Sequence, residues 1–368
     1  MAAVVQTLRS DWLTTGPKVA EFEKALAAVA GTSDAVAVST GTAALHAAMY
    51  ALGVGPGDEV IVTAMTFAAS ANCAAFLGAT PVFADVDADT FLIDPQQVEA
   101  RITPRTKAVV AVDYAGHPCD YDALETITRK HGLALVDDAC HAIGGSYRGR
   151  PVGSLAQLSA LSFHPVKHVA TGEGGAITTS DTDLARRLRL FRNHGITTDF
   201  RERAAQGAFA YEMVDLGYNY RLSDIQCALG ITQLAKLRSS VARRQAIARQ
   251  YDEAFQRAPA VKPLAVHGDV SHAYHLYVVR FELEALTADR AAIFRALRAE
   301  GIGVNVHYLP VHLHPYYQNK FGTGQGLCPV AEAAYERILS LPMFPAMTDD
   351  DVRDVVAAVQ KVTGSYRR

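Results

Sequence analysis

The sequence predicts an α/β protein, with a large domain on a mostly parallel central sheet flanked by helices and a smaller C-terminal α+β domain. Two observations carry that expectation. Short apolar runs recur between residues 35 and 136, with helically spaced segments between them, and such alternation marks parallel strands joined by helices. Past about residue 144 the alternation gives way to a hairpin, further strands and long helices. A length of 368 residues exceeds one typical domain, so a large and a small unit fit it.

Residues 17–29 carry apolar side chains at helical spacing, with Pro17 in the first turn and Gly31 just past the end. A strand at 35–38 runs into Ser39-Thr40-Gly41-Thr42, a turn that opens a helix. Further strands are predicted at 59–63, 81–86, 107–112 and 133–136, with helices at 68–77 and 121–131. Residues 146–152 read as a hairpin, and strands follow at 158–163 and 175–179. Alanine- and arginine-rich helices are predicted at 183–191 and, as one long element, 223–251. The remainder carries a strand at 274–281, a helix at 288–300, a strand at 303–308 and a terminal helix. The large domain is assigned to 1–240 and the smaller one to 241–368.

Hydrophobic residues make up 49% and charged residues 20%, as in ordinary globular proteins with a sizeable core. A formal net charge of -3 argues against a general nucleic-acid binder, which shows a basic face. No apolar run approaches a membrane span, and no secretory leader is recognisable. The cysteines (Cys73, Cys119, Cys140, Cys227, Cys328) are odd in number and form no CxxC pair, so reduced thiols in a cytoplasmic protein are expected.

The chemistry concentrates in four segments. In the stretch from Ser162 to Gly175, Lys167 follows a strand end and precedes a glycine-rich turn. An isolated loop lysine is ordinarily solvated; a desolvated one is partly neutral and condenses with aldehydes. Asp137 and Asp138 end an apolar strand, where burial is costly unless a cation meets them. A carboxylate there would keep a pyridine nitrogen protonated, although an Asp after a strand also serves as a helix cap. The turn from Ser39 to Leu45 offers backbone N–H groups and a hydroxyl to a phosphate. Phe67, just beyond the strand at 59–63, is placed to lie over a planar ring, and alone it would read as core.

In this order and spacing, from Trp12-Leu13-Thr14-Thr15-Gly16-Pro17 to Leu341-Pro342, these segments resemble the DegT/DnrJ/EryC1/StrS family of sugar aminotransferases, pyridoxal-phosphate (PLP) enzymes of fold type I. The resemblance implies that Lys167 holds PLP as a Schiff base and Asp138 partners its pyridine nitrogen. It places His141 near the phenolic oxygen, Phe67 on the ring, and Thr42, Ala43 and Ser162 around the phosphate. Asn219, in Gly217-Tyr218-Asn219-Tyr220-Arg221, matches an asparagine that reaches the phosphate of a neighbouring subunit, which implies a homodimer with shared sites. Shorter stretches (Val110 to Gly116, Phe191-Arg192-Asn193-His194-Gly195, His307 to His312) are similar to PseC-type enzymes. These aminate C4 of a UDP-linked 4-keto-6-deoxy-L-hexosamine in pseudaminic acid biosynthesis, with L-glutamate as donor. That likeness implies that Thr15, Gly16, His307 and Tyr308 border the nucleotide sugar. Another nucleotide-linked keto sugar (C3 or C4, dTDP or GDP), or a non-catalytic PLP-binding regulator, is the alternative. Relatives begin some residues earlier than this chain, so the cofactor site is expected to carry over more fully than the sugar site.

Other features take plainer readings. His307, His312 and His314 lack acids in the neighbouring sequence, and no metal is expected. Arg243 and Arg244 read as a solvated helix face.

Overall fold

A computed structural model of the chain describes residues 1–198, 203, 207 and 209–368. Strands β1 (Asp34–Val38), β2 (Glu59–Thr63), β3 (Thr80–Ala84), β4 (Thr106–Val112) and β5 (Ala134–Asp138) alternate with helices. The hairpin β6 (Ser146–Tyr147) and β7 (Arg150–Pro151) follows, then β8 (Leu158–Ser162) and β9 (Gly175–Thr179). Seven of these form one sheet in the order β1-β9-β8-β5-β4-β2-β3. Only β9 runs against its neighbours; β8, β5, β4, β2 and β3 are mutually parallel. This is the mostly parallel central sheet that the sequence predicts.

The composition of the strands explains the layering. Every residue of β2 and β9 is buried, because helices cover both faces and leave no side for polar residues. The alanine-rich helix Gly41–Ala51 is buried along nearly its whole length, its small side chains letting it lie close against β8 and β9. Parallel strands end on the same edge of a sheet, so whatever follows β2, β4, β5 and β8 gathers there. That is where open α/β sheets bind ligands.

Beyond the helices Asp224–Leu234 and Leu237–Phe255 lie β10 (Val261–Pro263), β11 (Val270–Ser271), β12 (Tyr277–Phe281) and β13 (Ile338–Leu341). Strands β10, β12 and β13 make a second, antiparallel sheet. It shares a separate buried core with helices Arg290–Ala299 and Asp349–Ser365, including Tyr251, Phe255, Phe281, Leu297 and Val359. Strand β11 returns to pair with β6.

Four expectations are corrected. The long helix over 223–251 is two helices. With no Gly or Pro at the junction, the break comes from a tightened turn in which Lys236 N–H donates to Gln233 O at 2.9 Å. Residues 303–308 do not form a strand: only Asn305 bridges to Ser340, and the chain then leaves for the sheet edge, with His307 Nδ1 2.8 Å from Ser340 Oγ. Arg244 is not solvated but 4% exposed, donating to the carbonyls of Tyr274, His275 and Met343 at 2.8–3.2 Å. The acid missing from the sequence around His312 is Glu332, whose Oε1 lies 2.8 Å from His312 Nε2.

One glycine joins the two units. Gly116, with φ +99°, sits where a Cβ would lie 2.7 Å from His141 O, 2.9 Å from Tyr274 N and 3.0 Å from His275 N. Gly116→Ala combines an unfavourable φ with contacts to three backbone atoms that cannot swing away. It is expected to cost on the order of 1–3 kcal/mol, read as a lowered urea midpoint.

Candidate active site

Lys167 lies on the loop after β8, its backbone N–H turned back to His164 O at 2.9 Å. Its side chain is half-buried, and among the described residues Nζ has no hydrogen-bond or salt-bridge partner. Burial holds the amine below the ordinary lysine value, opposed by the neighbouring Cys140 and Asp138. A basic amine kept partly neutral is a nucleophile.

Asp138, at the end of β5, is 5% exposed. Ser70 Oγ donates to its Oδ2 at 2.6 Å, and Ser70 is 2.7 Å from Thr66 Oγ1. The Cys140 N–H approaches Oδ1 at 3.3 Å. Among the described residues no lysine, arginine or histidine pairs with this carboxylate, so the site leaves room for a cation brought by a ligand. Sequence reasoning missed Thr66 and Ser70. The visible signal is their spacing of four in the turn that also carries Phe67, which opens helix Ala69–Phe76.

Phe67 is 60% exposed, its ring 6.1 Å from that of Tyr308. An exposed phenylalanine at the sheet edge is an apolar face awaiting a partner. His141 is buried, with Nε2 3.3 Å from the Tyr308 hydroxyl. Burial, and next the charge of Lys167, push it well below the usual histidine value, so the ring is neutral. His307 is lowered to about 4, again by burial and then Lys167. Tyr114 donates its hydroxyl to His307 O, fixing the approach of the 307–308 segment.

Thr40 caps helix Gly41–Ala51 by accepting from Ala43 N at 3.0 Å, while the amides of Gly41 and Thr42 have no intrahelical acceptor. Ser162, at the end of β8, abuts this helix start. A Cβ on Gly41 would lie 2.9 Å from Ser162 Cβ and 3.3 Å from Cys140 Sγ. The turn, Ser162 and Cys140 therefore form one cradle, of the kind that binds phosphate at a helix N-terminus.

The structure thus brings together Lys167, Asp138, His141, Phe67, Tyr308 and His307, with Thr42, Ala43 and Ser162 at the adjoining helix start. Thr15, Gly16 and Asn219 lie elsewhere. Gly16 N–H donates to Asp224 Oδ2 at 2.6 Å and Lys18 N–H to Oδ1 at 2.8 Å, so the start of helix Asp224–Leu234 holds that turn. Thr15 lines a cavity of about 440 Å³ with Arg192, Asn193 and Arg221. Asn219 is exposed and bridges through its backbone to Asn193, at the rim of the same cavity.

Behind the site, Asp113 and Asp137 are fully buried. Asp113 accepts from Cys119 N at 2.9 Å and the Tyr121 hydroxyl at 2.8 Å. Burial raises both carboxyls, Asp113 to about 7, and each raises the other or is raised by Asp138.

A half-buried, unpartnered lysine amine, a carboxylate open to a cation, an exposed aromatic face and a helix-start cradle suit a phosphorylated aromatic aldehyde. Comparison with known proteins agrees. Residues 1–360 match the DegT/DnrJ/EryC1/StrS aminotransferase family model. The chain is 45% identical to the spore coat polysaccharide biosynthesis protein SpsC of Bacillus subtilis over 361 residues, covering 98% of this chain and 93% of that one. Among solved structures, the sugar aminotransferase Spr1654 of Streptococcus pneumoniae in its PMP-form superposes with a TM-score of 0.93 at 35% identity, covering 99% and 96% of the two chains. Helicobacter pylori PseC, an aminotransferase of pseudaminic acid biosynthesis, gives 0.92 at 34%, with the same coverage. The chain belongs to the DegT/DnrJ/EryC1/StrS family and is a PLP-dependent sugar aminotransferase.

The raised Asp113 and Asp137 carboxyls bind protons in the folded chain that the unfolded chain has released, so their own contribution to stability declines as pH rises from about 4 to about 7, opposite in sign to that of the buried histidines, whose lowered values make their contribution rise. Asp137→Asn, which removes one ionisable member, is expected to flatten that decline, as measured by urea unfolding across this pH range.

Proposed function

We propose that the chain transfers an amino group from L-glutamate to C4 of a UDP-linked 4-keto-6-deoxy-L-hexosamine, working as a cytoplasmic homodimer. The observation that carries the chemistry is the half-buried Lys167 amine, without a hydrogen-bond partner among the described residues, close to the Asp138 carboxylate, which no cation pairs among those residues. The likeness to PseC and the PseC-type stretches of the sequence support the sugar. Because SpsC is the more similar of the two, at 45% against 34% identity, a different nucleotide-linked keto sugar is the second reading.

Bound PLP supplies an aldehyde and an electron-withdrawing pyridine ring. Lys167 Nζ would hold PLP through its aldehyde carbon and would be free as a base when a donor amine is bound in its place. The freed amine, its basicity lowered by burial, would take the proton from the donor's α-carbon. Asp138 keeps the proton on the pyridine nitrogen, and Ser70 holds the carboxylate in line. Phe67 covers one face of the ring and His141 meets its phenolic oxygen as a neutral imidazole. The amides and hydroxyls at Thr42, Ala43 and Ser162 take the phosphate. Glutamate leaves as 2-oxoglutarate; the sugar carbonyl then enters and leaves as an amine, with Lys167 moving the proton in the opposite sense.

Asn219 of the partner subunit completes the phosphate site, and Thr15 and Gly16 join His307 and Tyr308 around the nucleotide sugar. Thr15, Asn193 and Arg221 line one cavity, and the Asn219 backbone bridges to Asn193, which supports placing these residues in one region. We place the division between a large and a small domain at residue 240, ahead of the second buried core, which begins at Ile247; the first core also takes Val311, Tyr317 and Ala331 from beyond that point.

PLP-loaded protein is expected to lose its visible absorbance band on adding L-glutamate and regain it on adding UDP-4-keto-6-deoxy-L-hexosamine. A band that is lost but regained only with another nucleotide-linked keto sugar would move the assignment to that sugar. Lys167→Ala is expected to show neither the band nor turnover. Asp138→Ala is expected to weaken PLP binding and slow the first half-reaction by about two orders of magnitude or more.

A further inference from the structure

Asn219 sits between two tyrosines that are anchored on the opposite side of the chain from it. The rings of Tyr218 and Tyr220 stack, with centroids 5.0 Å apart and planes 17° from parallel. Both rest on Phe191, at 5.1 and 6.0 Å, and on His46, again at 5.1 and 6.0 Å. The segment is extended and bridged to Asn193, and side chains alternate along such backbone. The residue between the tyrosines therefore points away from those rings, and Asn219 is exposed.

His46 is the polar member of this aromatic box. It stands on helix Gly41–Ala51, 3% exposed, with Phe76 closing its remaining side at 5.1 Å. Burial lowers it to about 4, so the ring is neutral. Its Nδ1 lies 3.2 Å from the Tyr220 hydroxyl, while Nε2 is buried with no partner among the described residues. A leucine here would avoid the cost of desolvating an imidazole. What the histidine adds is direction: packing alone lets stacked rings slide, whereas a hydrogen bond fixes the Tyr220 ring at one place along the helix.

The backbone of the segment is fastened as well. Ser39 N–H donates to Tyr220 O at 2.8 Å, Tyr220 N–H to Arg192 O at 3.1 Å, and Tyr218 N–H to Phe191 O at 2.8 Å. His46 stands a turn beyond the cradle amides of Gly41 to Ala43. Its ring contacts and its hydrogen bond go to Phe76, Phe191, Tyr218 and Tyr220, and none to Ser162 or Lys167.

We propose that His46 and Tyr220 are positioning residues that act in trans: their hydrogen bond sets Asn219 for the PLP phosphate held by the partner subunit. The proposal rests on the reading of Asn219 as a residue that reaches the neighbouring phosphate. Neither His46 nor Tyr220 touches cofactor or substrate.

The test uses full-length mixed dimers, co-expressed with two different tags, in which one subunit carries Lys167→Ala and only the other can form the visible band. The readout is the PLP dissociation constant, taken from that band. With Tyr220→Phe in the Lys167→Ala subunit, the intact Lys167 site faces the altered segment. Its dissociation constant is expected to rise about three- to tenfold, the equivalent of one hydrogen bond. With Tyr220→Phe in the subunit that keeps Lys167, the constant is expected to stay at the wild-type value. His46→Phe is expected to give the same pair of results, and the two substitutions together no more than either alone. If His46→Phe does not fold, Tyr220→Phe, which keeps its ring and loses only a hydroxyl, decides. A rise at the altered subunit's own site, or none in either arrangement, would overturn the proposal. Asn219→Ala in the Lys167→Ala subunit is the control: if it leaves the constant unchanged, the reading beneath the proposal fails instead.

Discussion

The site depends on Asp138, a carboxylate buried at the end of a central strand and given hydroxyl and amide partners but no protein cation. An uncompensated buried charge of this kind is expensive in a finished fold, and natural proteins ordinarily pair it. Lys167 stands close enough to feel this carboxylate, and its burial favours the uncharged amine. The two groups are held apart as an acid in need of a cation and an amine in need of an electrophile. A protonated pyridine aldehyde answers both needs, which is why the PLP assignment follows from the local electrostatics as well as from the family.

The rest of the architecture serves that arrangement. Parallel strands bring Ser162, Asp138 and the segment carrying Thr66, Phe67 and Ser70 to one edge of the sheet. The helix at Gly41 meets the same edge because β1 runs in the same sense as β8, with β9 reversed between them. Loops from the second core close over this edge: His307 and Tyr308 from one side, His275 from the other. Arg244, Gly116 and Tyr114 fasten those loops to the large sheet. The small unit thus supplies side chains to a site whose acid and amine belong to the large one.

Much of this was legible in the sequence because it is local. Strand runs such as Glu59–Thr63 and Gly175–Thr179 and the helix Tyr121–His131 are marked by their own composition and caps. Lys167, Asp138, Phe67 and the turn at Thr42 each take an ordinary reading alone and are legible as a site through their order and spacing together. What depends on distant partners was hidden. Ser70 looks like any serine in an alanine-rich helix until Asp138 is placed beside it. Arg244 looks like a surface residue because the carbonyls that receive it come from Tyr274, His275 and Met343. The segment at 303–308 alternates like a strand, yet its side chains are drawn to Ser340 and His141 and its backbone leaves the sheet.

The central claim is electrostatic: Lys167 is held below the ordinary lysine value by burial, with Asp138 partly opposing that shift. Direct titration of the Lys167 ammonium by heteronuclear NMR, in wild type and in Asp138→Asn, tests it most closely. The account predicts a midpoint below that of an ordinary lysine, falling further when the carboxylate is neutralised. A lysine that titrates at its ordinary value in wild type, or whose midpoint does not move in Asp138→Asn, would contradict it.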